Sequence, residues 1–305
     1  MNRSGLDRRP AKAPHVLENV SRYRRPLAFY VLATLIPWAL WFTAAWLSHQ
    51  PDQGRFTLAV MAVLGLAGLA APVVVAMWFI RKDGLTRDVF ARLLSPPGTR
   101  PWIWGAALFL LPASVLVATA VSIPLGYDVS QFQLQNGFSF TTGLLPAWIV
   151  LVLAPVLEEL AWKTYGTDSL ASRMNVLWTS LLFGVVWVLW HVPLGFIKGY
   201  YQAEVVDEGL IHSLNYAVSL IPFVILMNWL YYRGARSVLV AIVFHLAANF
   251  GNELFRTHPD TKVIQTALLL ALSVVVVWRD RELFLTSPRR RPGSTPTRGT
   301  HQVTV

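Results

Sequence analysis

An all-α, polytopic transmembrane bundle of about eight helices with both termini cytoplasmic is the fold this sequence predicts, and three observations predict it. The 305 residues are 54% hydrophobic and 14% charged, with a mean hydropathy of +0.47, which is not the composition of a chain folded in water. The apolar residues come in runs close to the roughly 20 that a helix needs to cross a hydrocarbon core of about 30 Å. The basic residues fall between those runs in an alternating pattern, with 22 of the 26 Lys and Arg in the two tails and every second loop.

The first run, 27–47, follows a leader with seven Lys and Arg. It is longer than the apolar region of a signal peptide and no small-x-small cleavage site follows it, so it reads as a retained span. The second, 56–80, stops at Arg81-Lys82, and the third, 102–125, starts just after Arg100-Pro101. The fourth, 144–162, carries two acids near its end, the fifth, 176–197, contains Pro193, and the sixth covers 210–231. The seventh, 238–250, and the eighth, 263–278, are the shortest. The leader, the loops at 81–100, 163–173 and 233–236, and the tail hold the 22 basic residues, whereas the intervening loops hold Arg55, Lys198, Arg256 and Lys262. Basic residues resist translocation, so both termini are expected in the cytoplasm. Residues 1–26 and 279–305 read as disordered basic tails, and 27–278 as one membrane domain with its functional core at 144–252.

The net charge of +10 does not point to nucleic acid, because it lies in tails and short loops and no soluble domain carries a basic face. The partner expected from composition is the lipid bilayer. With no cysteine, disulfides, thiolate metal sites, iron–sulfur clusters and cysteine nucleophiles are excluded. Any chemistry falls to carboxylates, imidazoles, hydroxyls and amines.

Ionisable residues inside apolar spans are costly, so each needs a reason. In the fourth span Glu158 and Glu159 point about 100° apart, and Lys163 stands four residues after Glu159 in the favourable Glu-to-Lys order. Glu158 is then the freer acid, with Trp162 at i+4. A plainer account has the two acids capping the cytoplasmic end of the span. In the fifth span His191 is the lone ionisable group, with Trp187 one turn back and Pro193 expected to kink the helix beside it. In the seventh, His245 and Asn249 share a face; each alone could simply tie helices together. Asn215 and Asn228 in the sixth span read as packing residues.

Together these groups compose a hydrolytic inventory. A carboxylate and a histidine can bind and deprotonate one water, while a second histidine and an amide can stabilise the oxyanion formed at a carbonyl. A Ser-His pair is less persuasive, since Ser180 lies eleven residues before His191 on the same helix, about 16 Å away. No cofactor is predicted; zinc held by Glu158, His191 and His245 is the open alternative, though the sequence has no HExxH framework. The rival from another class is a transporter or proton-coupled permease, because buried carboxylates and histidines also build relays.

The segments Glu158-Glu159-Leu160-Ala161-Trp162-Lys163, Trp187-Val188-Leu189-Trp190-His191 and His245-Leu246-Ala247-Ala248-Asn249 resemble, in order, the EExxxR, FxxxH and HxxxN motifs of the CPBP intramembrane proteases. That group includes the type II CaaX prenyl endopeptidases and proteins related to bacteriocin processing and immunity. Lys163 stands where arginine is usual and Trp187 at the aromatic position. The stretch from Asn228 to Arg233, followed by Ser237-Val238-Leu239, is also similar to the family's approach to its last motif. The resemblance implies a glutamic-type endopeptidase in which Glu158 and His191 activate water and His245 and Asn249 form the oxyanion hole, with Glu159, Lys163 and Trp187 in support. It implies a membrane-associated peptide or protein substrate, lipidated or leader-bearing. A noncatalytic immunity or scaffold protein of the same family is the further alternative. The overall character suits a bacterial plasma membrane.

Overall fold

The computed structural model describes residues 20–51, 54–94, 99–135 and 147–287, and among these the chain is helical throughout, with one isolated bridge between Leu134 and Phe255. The order is α1 (Pro26–Ser48), α2 (Arg55–Lys82), α3 (Thr86–Leu93), α4 (Pro101–Ser122), α5 (Ala147–Ala161), α6 (Thr167–Ala171), α7 (Val176–His191), α8 (Tyr201–Asp207), α9 (Leu210–Arg233), α10 (Val238–Leu254), α11 (Pro259–Arg279) and α12 (Arg281–Leu285).

Local chemistry explains where the helices begin. Pro26, Pro101 and Pro259 occupy first positions, where a missing N–H costs nothing. Asn175 accepts from the Trp178 N–H at the start of α7, and Ser237 accepts from the Val240 N–H at the start of α10. Six segments are long and apolar enough to cross a membrane: α1, α2, α4 with its following turn, α7 with its following turn, α9 and α11. The seventh expected span is a shorter helix, α10 of 17 residues, and the fourth is described from Ala147, where α5 begins and runs on through Trp162–Gly166 into α6. Most of α10 is buried in the bundle, and a helix enclosed by protein need not match the thickness of lipid. The start expected for the fourth span, residue 144, lies outside the described residues.

Three expectations change. Pro193 does not kink the fifth span. The α-helix ends at His191 and Val192–Phe196 forms a 3-10 turn, with the Val192 N–H bonding to the Leu189 carbonyl that proline cannot serve. The N-terminal tail stops short of residue 26, because Val20 and Tyr23 are buried in the core. The C-terminal tail likewise does not begin at 279: α12 packs beside α7 and buries Leu283 and Phe284. The remainder of both tails lies outside the described residues.

Packing puts α1 along α2, α10 against α4 and α5, and α9 between α7 and α11. A run of rings, Phe79, Tyr165, Phe29, Trp162, Phe183 and Trp187, joins α1, α2 and α7 to the segment after α5. At the end of the bundle that carries α3 and the loop between α9 and α10, charges are buried in a closed network. Arg236, with Ala235 before it in the left-handed region (φ 64° and 54°), turns inward and donates to Asp168 and Asp88. Arg92 of α3 joins the same two carboxylates, and Tyr23 donates to Asp88 at 2.5 Å.

Burial alone would raise the Asp88 carboxyl, but the Arg236 guanidinium, the Tyr23 hydroxyl and Arg92 outweigh it and hold the group below its ordinary value of 3.8. A carboxylate depressed in the folded state contributes stability above its unfolded pKa and loses it as pH falls through the folded value. Asp88→Asn should therefore cost about 1–3 kcal/mol at neutral pH, read as a lower Tm in detergent, and the deficit should shrink below pH 4. A deficit independent of pH would contradict this assignment.

Candidate active site

The segment after α5 sets the geometry. Residues Trp162–Gly166 form a π-turn, all five buried, so the helix carrying both glutamates widens one turn past them. Gly166 is needed there because a Cβ would come within 2.8 Å of the Phe29 ring of α1. Arg92 fixes the turn from outside: its guanidinium donates to the Lys163 carbonyl at 2.9 Å and the Thr164 carbonyl at 2.8 Å. The register of Glu158, Glu159 and Lys163 is thus tied to a charged residue on α3, far away in sequence.

Glu158 and Glu159 diverge as their spacing requires. Glu158 faces a cavity of about 660 Å³, and its Oε2 accepts from the Trp187 indole N–H at 2.9 Å. Glu159 is wholly buried and is not among the lining residues; its Oε1 meets His245 Nδ1 at 2.8 Å. The expected Glu159–Lys163 pair exists only at 4.0 Å. The Lys163 ammonium instead donates to Asn228 Oδ1 at 2.6 Å and Thr167 Oγ1 at 3.3 Å, over the Phe183 ring. Asn228 in turn donates to Ser180 Oγ at 3.0 Å. The reason is geometric: the π-turn carries Lys163 off the face that holds Glu159 and toward α9.

His191, at the last residue of α7, has Nδ1 2.7 Å from the Trp187 carbonyl. A carbonyl only accepts, so Nδ1 carries the proton and Nε2 of the neutral ring keeps its lone pair. Trp187 therefore touches both halves of the pair, its indole holding Glu158 and its carbonyl orienting His191 one turn further along. The two spans run in opposite directions, which from sequence places Glu158 and His191 toward opposite faces. The structure brings both residues to Trp187, which meets Glu158 with its indole and His191, one turn further along α7, with its carbonyl.

His245 stands edge-on to Trp187 (centroids 5.4 Å) and Phe223 (5.3 Å), and Trp190 stands edge-on to His191 (4.8 Å). With Glu159 at Nδ1, His245 presents Nε2 as its remaining ring nitrogen. Asn249, one turn on, lines the same cavity, so Glu158, His191, His245 and Asn249 share one wall set. Among the described residues no three His, Asp or Glu side chains come together in an arrangement that would hold a metal ion.

Sequence reasoning did not assign Trp190, Phe223 and Tyr216, which wall the cavity, nor Arg92, which holds the π-turn. Trp190 carried a signal in its adjacency to His191; the others are ordinary residues until helices are paired. Asn228 was legible as a polar residue in an apolar helix, but its partner was not. Asn215, read as a packing residue, also lines the cavity, as do His212 and His258.

Removing the Asn228 amide leaves the Lys163 ammonium short of its closest acceptor. Asn228→Val should lower stability by about 1.5–3 kcal/mol, the cost of a hydrogen bond to a charged group, visible as a lower Tm. An unchanged Tm would mean that Thr167 and Glu159 suffice for Lys163.

Residues 140–251 match the family model described as type II CAAX prenyl endopeptidase Rce1-like. The chain is similar to the CAAX prenyl protease 2 of the archaeon Methanococcus maripaludis, at 34% identity over 269 residues, which cover 87% of this chain and 98% of that protein.

Proposed function

Because the chain belongs to the CPBP/CaaX-protease family, Rce1-like, and is accordingly an intramembrane endopeptidase of that type, we propose that it hydrolyses its peptide bond with water activated by Glu158 and His191 and without a covalent intermediate. The observation that carries this assignment is Trp187, which holds Glu158 with its indole and His191 with its carbonyl. A water between the carboxylate and the His191 Nε2 lone pair gives its proton to Glu158 as its oxygen attacks the scissile carbon. Glu158 then passes that proton to the departing amine.

Charge developing on the carbonyl oxygen is met by donors from α10, Asn249 Nδ2 and His245 Nε2. His245 can donate from Nε2 while Nδ1 donates to Glu159 only if both nitrogens carry protons, and the Glu159 carboxylate is the counter-charge for that state. Glu159 is thus a positioning residue for His245, and Lys163 with Asn228 forms the outer layer. The reaction needs no metal in this reading, since Glu158 and His191 position the water and His245 and Asn249 meet the oxyanion. The substrate is a membrane-associated peptide or protein, lipidated or leader-bearing, and the name of the archaeal relative favours the lipidated, prenylated kind.

Counting α5 and α10 with the six longer helices makes eight passes, with both termini cytoplasmic as the basic loops require. The chain is a multi-pass membrane protein, and the bilayer proposed for it is a bacterial plasma membrane.

Glu158→Gln should leave the protein folded and inserted but abolish cleavage of a peptide substrate in detergent; turnover near wild type would remove Glu158 from the role of base. Asn249→Ala should reduce turnover by about 10² to 10³ with little change in KM. Elemental analysis should find no stoichiometric zinc in active protein and chelation should spare the rate; one zinc per chain, lost with proportional loss of activity, would replace this mechanism by a metal-dependent one. Single cysteines at the exposed positions Ser130 and Arg87 place the faces: an impermeant maleimide should reach Ser130→Cys and not Arg87→Cys in intact cells, and the reverse would invert the topology.

A further inference from the structure

Three rings from three helices close on one another inside the site. Trp187 of α7 and His245 of α10 stand 5.4 Å apart at 88°, Phe223 of α9 stands 5.3 Å from His245 at 70°, and Phe223 and Trp187 complete the triangle at 5.4 Å and 40°. All three line the cavity, and Phe223 is buried. Two members of the triangle each hold one of the paired acids of α5. Trp187 donates its indole N–H to Glu158 at 2.9 Å, and His245 Nδ1 meets Glu159 at 2.8 Å. Trp187 also orients His191 through its carbonyl, so it carries the water-activating half of the site, whereas His245 belongs to the half that meets the oxyanion. Phe223 is the third member. Its side chain has no polar atom, yet it touches both halves.

Hydrogen bonds to α5 do not by themselves set the separation of those halves. Adjacent carboxylates diverge by about 100°, so Glu158 and Glu159 say where α7 and α10 attach and leave the angle between the two helices open. Those helices do not pack along each other; α9 packs against both. Its approach to α7 is close near the triangle, since a Cβ on Gly184, three residues before Trp187, would stand 2.8 Å from the end of the Ile221 side chain. On the α10 side Phe223 meets Phe244 as well as His245, with ring centroids 5.2 Å apart. Aromatic pairs prefer tilted or edge-on contacts at such separations, a directional preference that an aliphatic side chain of similar volume lacks.

We infer that Phe223 is a positioning residue for catalysis: its ring, set against Trp187 and His245 at once, fixes the distance between the water-activating pair Glu158 and His191 and the oxyanion donors of α10. Attack on a carbonyl needs water, carbon and oxyanion donors in one geometry, and a displacement of about 1 Å in such an arrangement can cost about 10² in rate. The inference rests on the roles proposed above for Glu158, His191, His245 and Asn249, and adds the residue that keeps the two pairs in register.

Phe223→Leu and Phe223→Tyr, purified in detergent and assayed on one peptide substrate, test it. Loss of the ring in Phe223→Leu should lower kcat by about 10- to 100-fold with KM changed by less than about threefold, and Phe223→Tyr, which keeps the ring, should hold kcat within about threefold of wild type. Tm is read on the same samples, and Phe223→Met, which also lacks a ring, replaces Phe223→Leu if that variant does not fold. A kcat near wild type without the ring would overturn the inference. So would a raised KM with unchanged kcat, which would make Phe223 a substrate contact alone, or a loss in Phe223→Tyr as deep as in Phe223→Leu. Glu158→Gln is assayed beside them. If it stays active, the hydrolytic roles fail and this inference with them; if it is inactive while Phe223→Leu is unimpaired, Phe223 alone loses its role.

Discussion

A carboxylate removed from water must find a proton donor or give up its charge, and Glu159 finds His245 Nδ1 at 2.8 Å. That hydrogen bond joins α5 to α10 and fixes which nitrogen of His245 faces the cavity. The remaining polar contacts of the site arrange themselves around it. Glu158, one residue earlier and about 100° away, is left to face the cavity, where the Trp187 indole meets it. Lys163 is carried by the π-turn toward Asn228, which neutralises nothing but supplies a short acceptor at 2.6 Å. The turn is held in register by Arg92, whose guanidinium satisfies two of its carbonyls. This part of the bundle thus depends on a chain of hydrogen bonds and ion pairs running from α10 to α3 beside a cluster of aromatic rings, in which Glu159 Oε2 has only the Lys163 ammonium, at 4.0 Å.

What could be read from the sequence was what one helix dictates by itself. The spacing of His245 and Asn249 puts them on one face of α10, and the structure places both on the cavity. Trp187 one turn before His191 predicted contact, and the contact is both a ring pair at 5.5 Å and the carbonyl hydrogen bond. What could not be read were relations that need two helices in register. The indole that donates to Glu158 at 2.9 Å comes from α7, a partner that spacing along α5, which offered Trp162, could not name. Lys163 was assigned to Glu159 by the i,i+4 rule, which assumes 3.6 residues per turn and fails once the chain widens into a π-turn. Arg92 had no sequence signal at all, since it looked like one more basic residue in a loop.

The span count shows a similar division. Hydropathy located the apolar segments but treated each as a solitary crossing of lipid. The helix α10 is shorter than such a crossing and is largely enclosed by protein, which lets it carry polar side chains of the site. A polar side chain on a lipid-facing helix would be expensive; on an enclosed helix it can be paired, as His245 is.

The central claim is that Glu159 works through His245, and a double-mutant cycle in kcat measures this directly. If Glu159→Gln acts by removing the counter-charge and orientation of His245, it should cost little more once His245 is already replaced. The rate of Glu159→Gln/His245→Gln should then equal that of the slower single variant. If the two losses multiply, Glu159 contributes independently of His245, and the hydrogen bond between them is not the interaction on which the site is built.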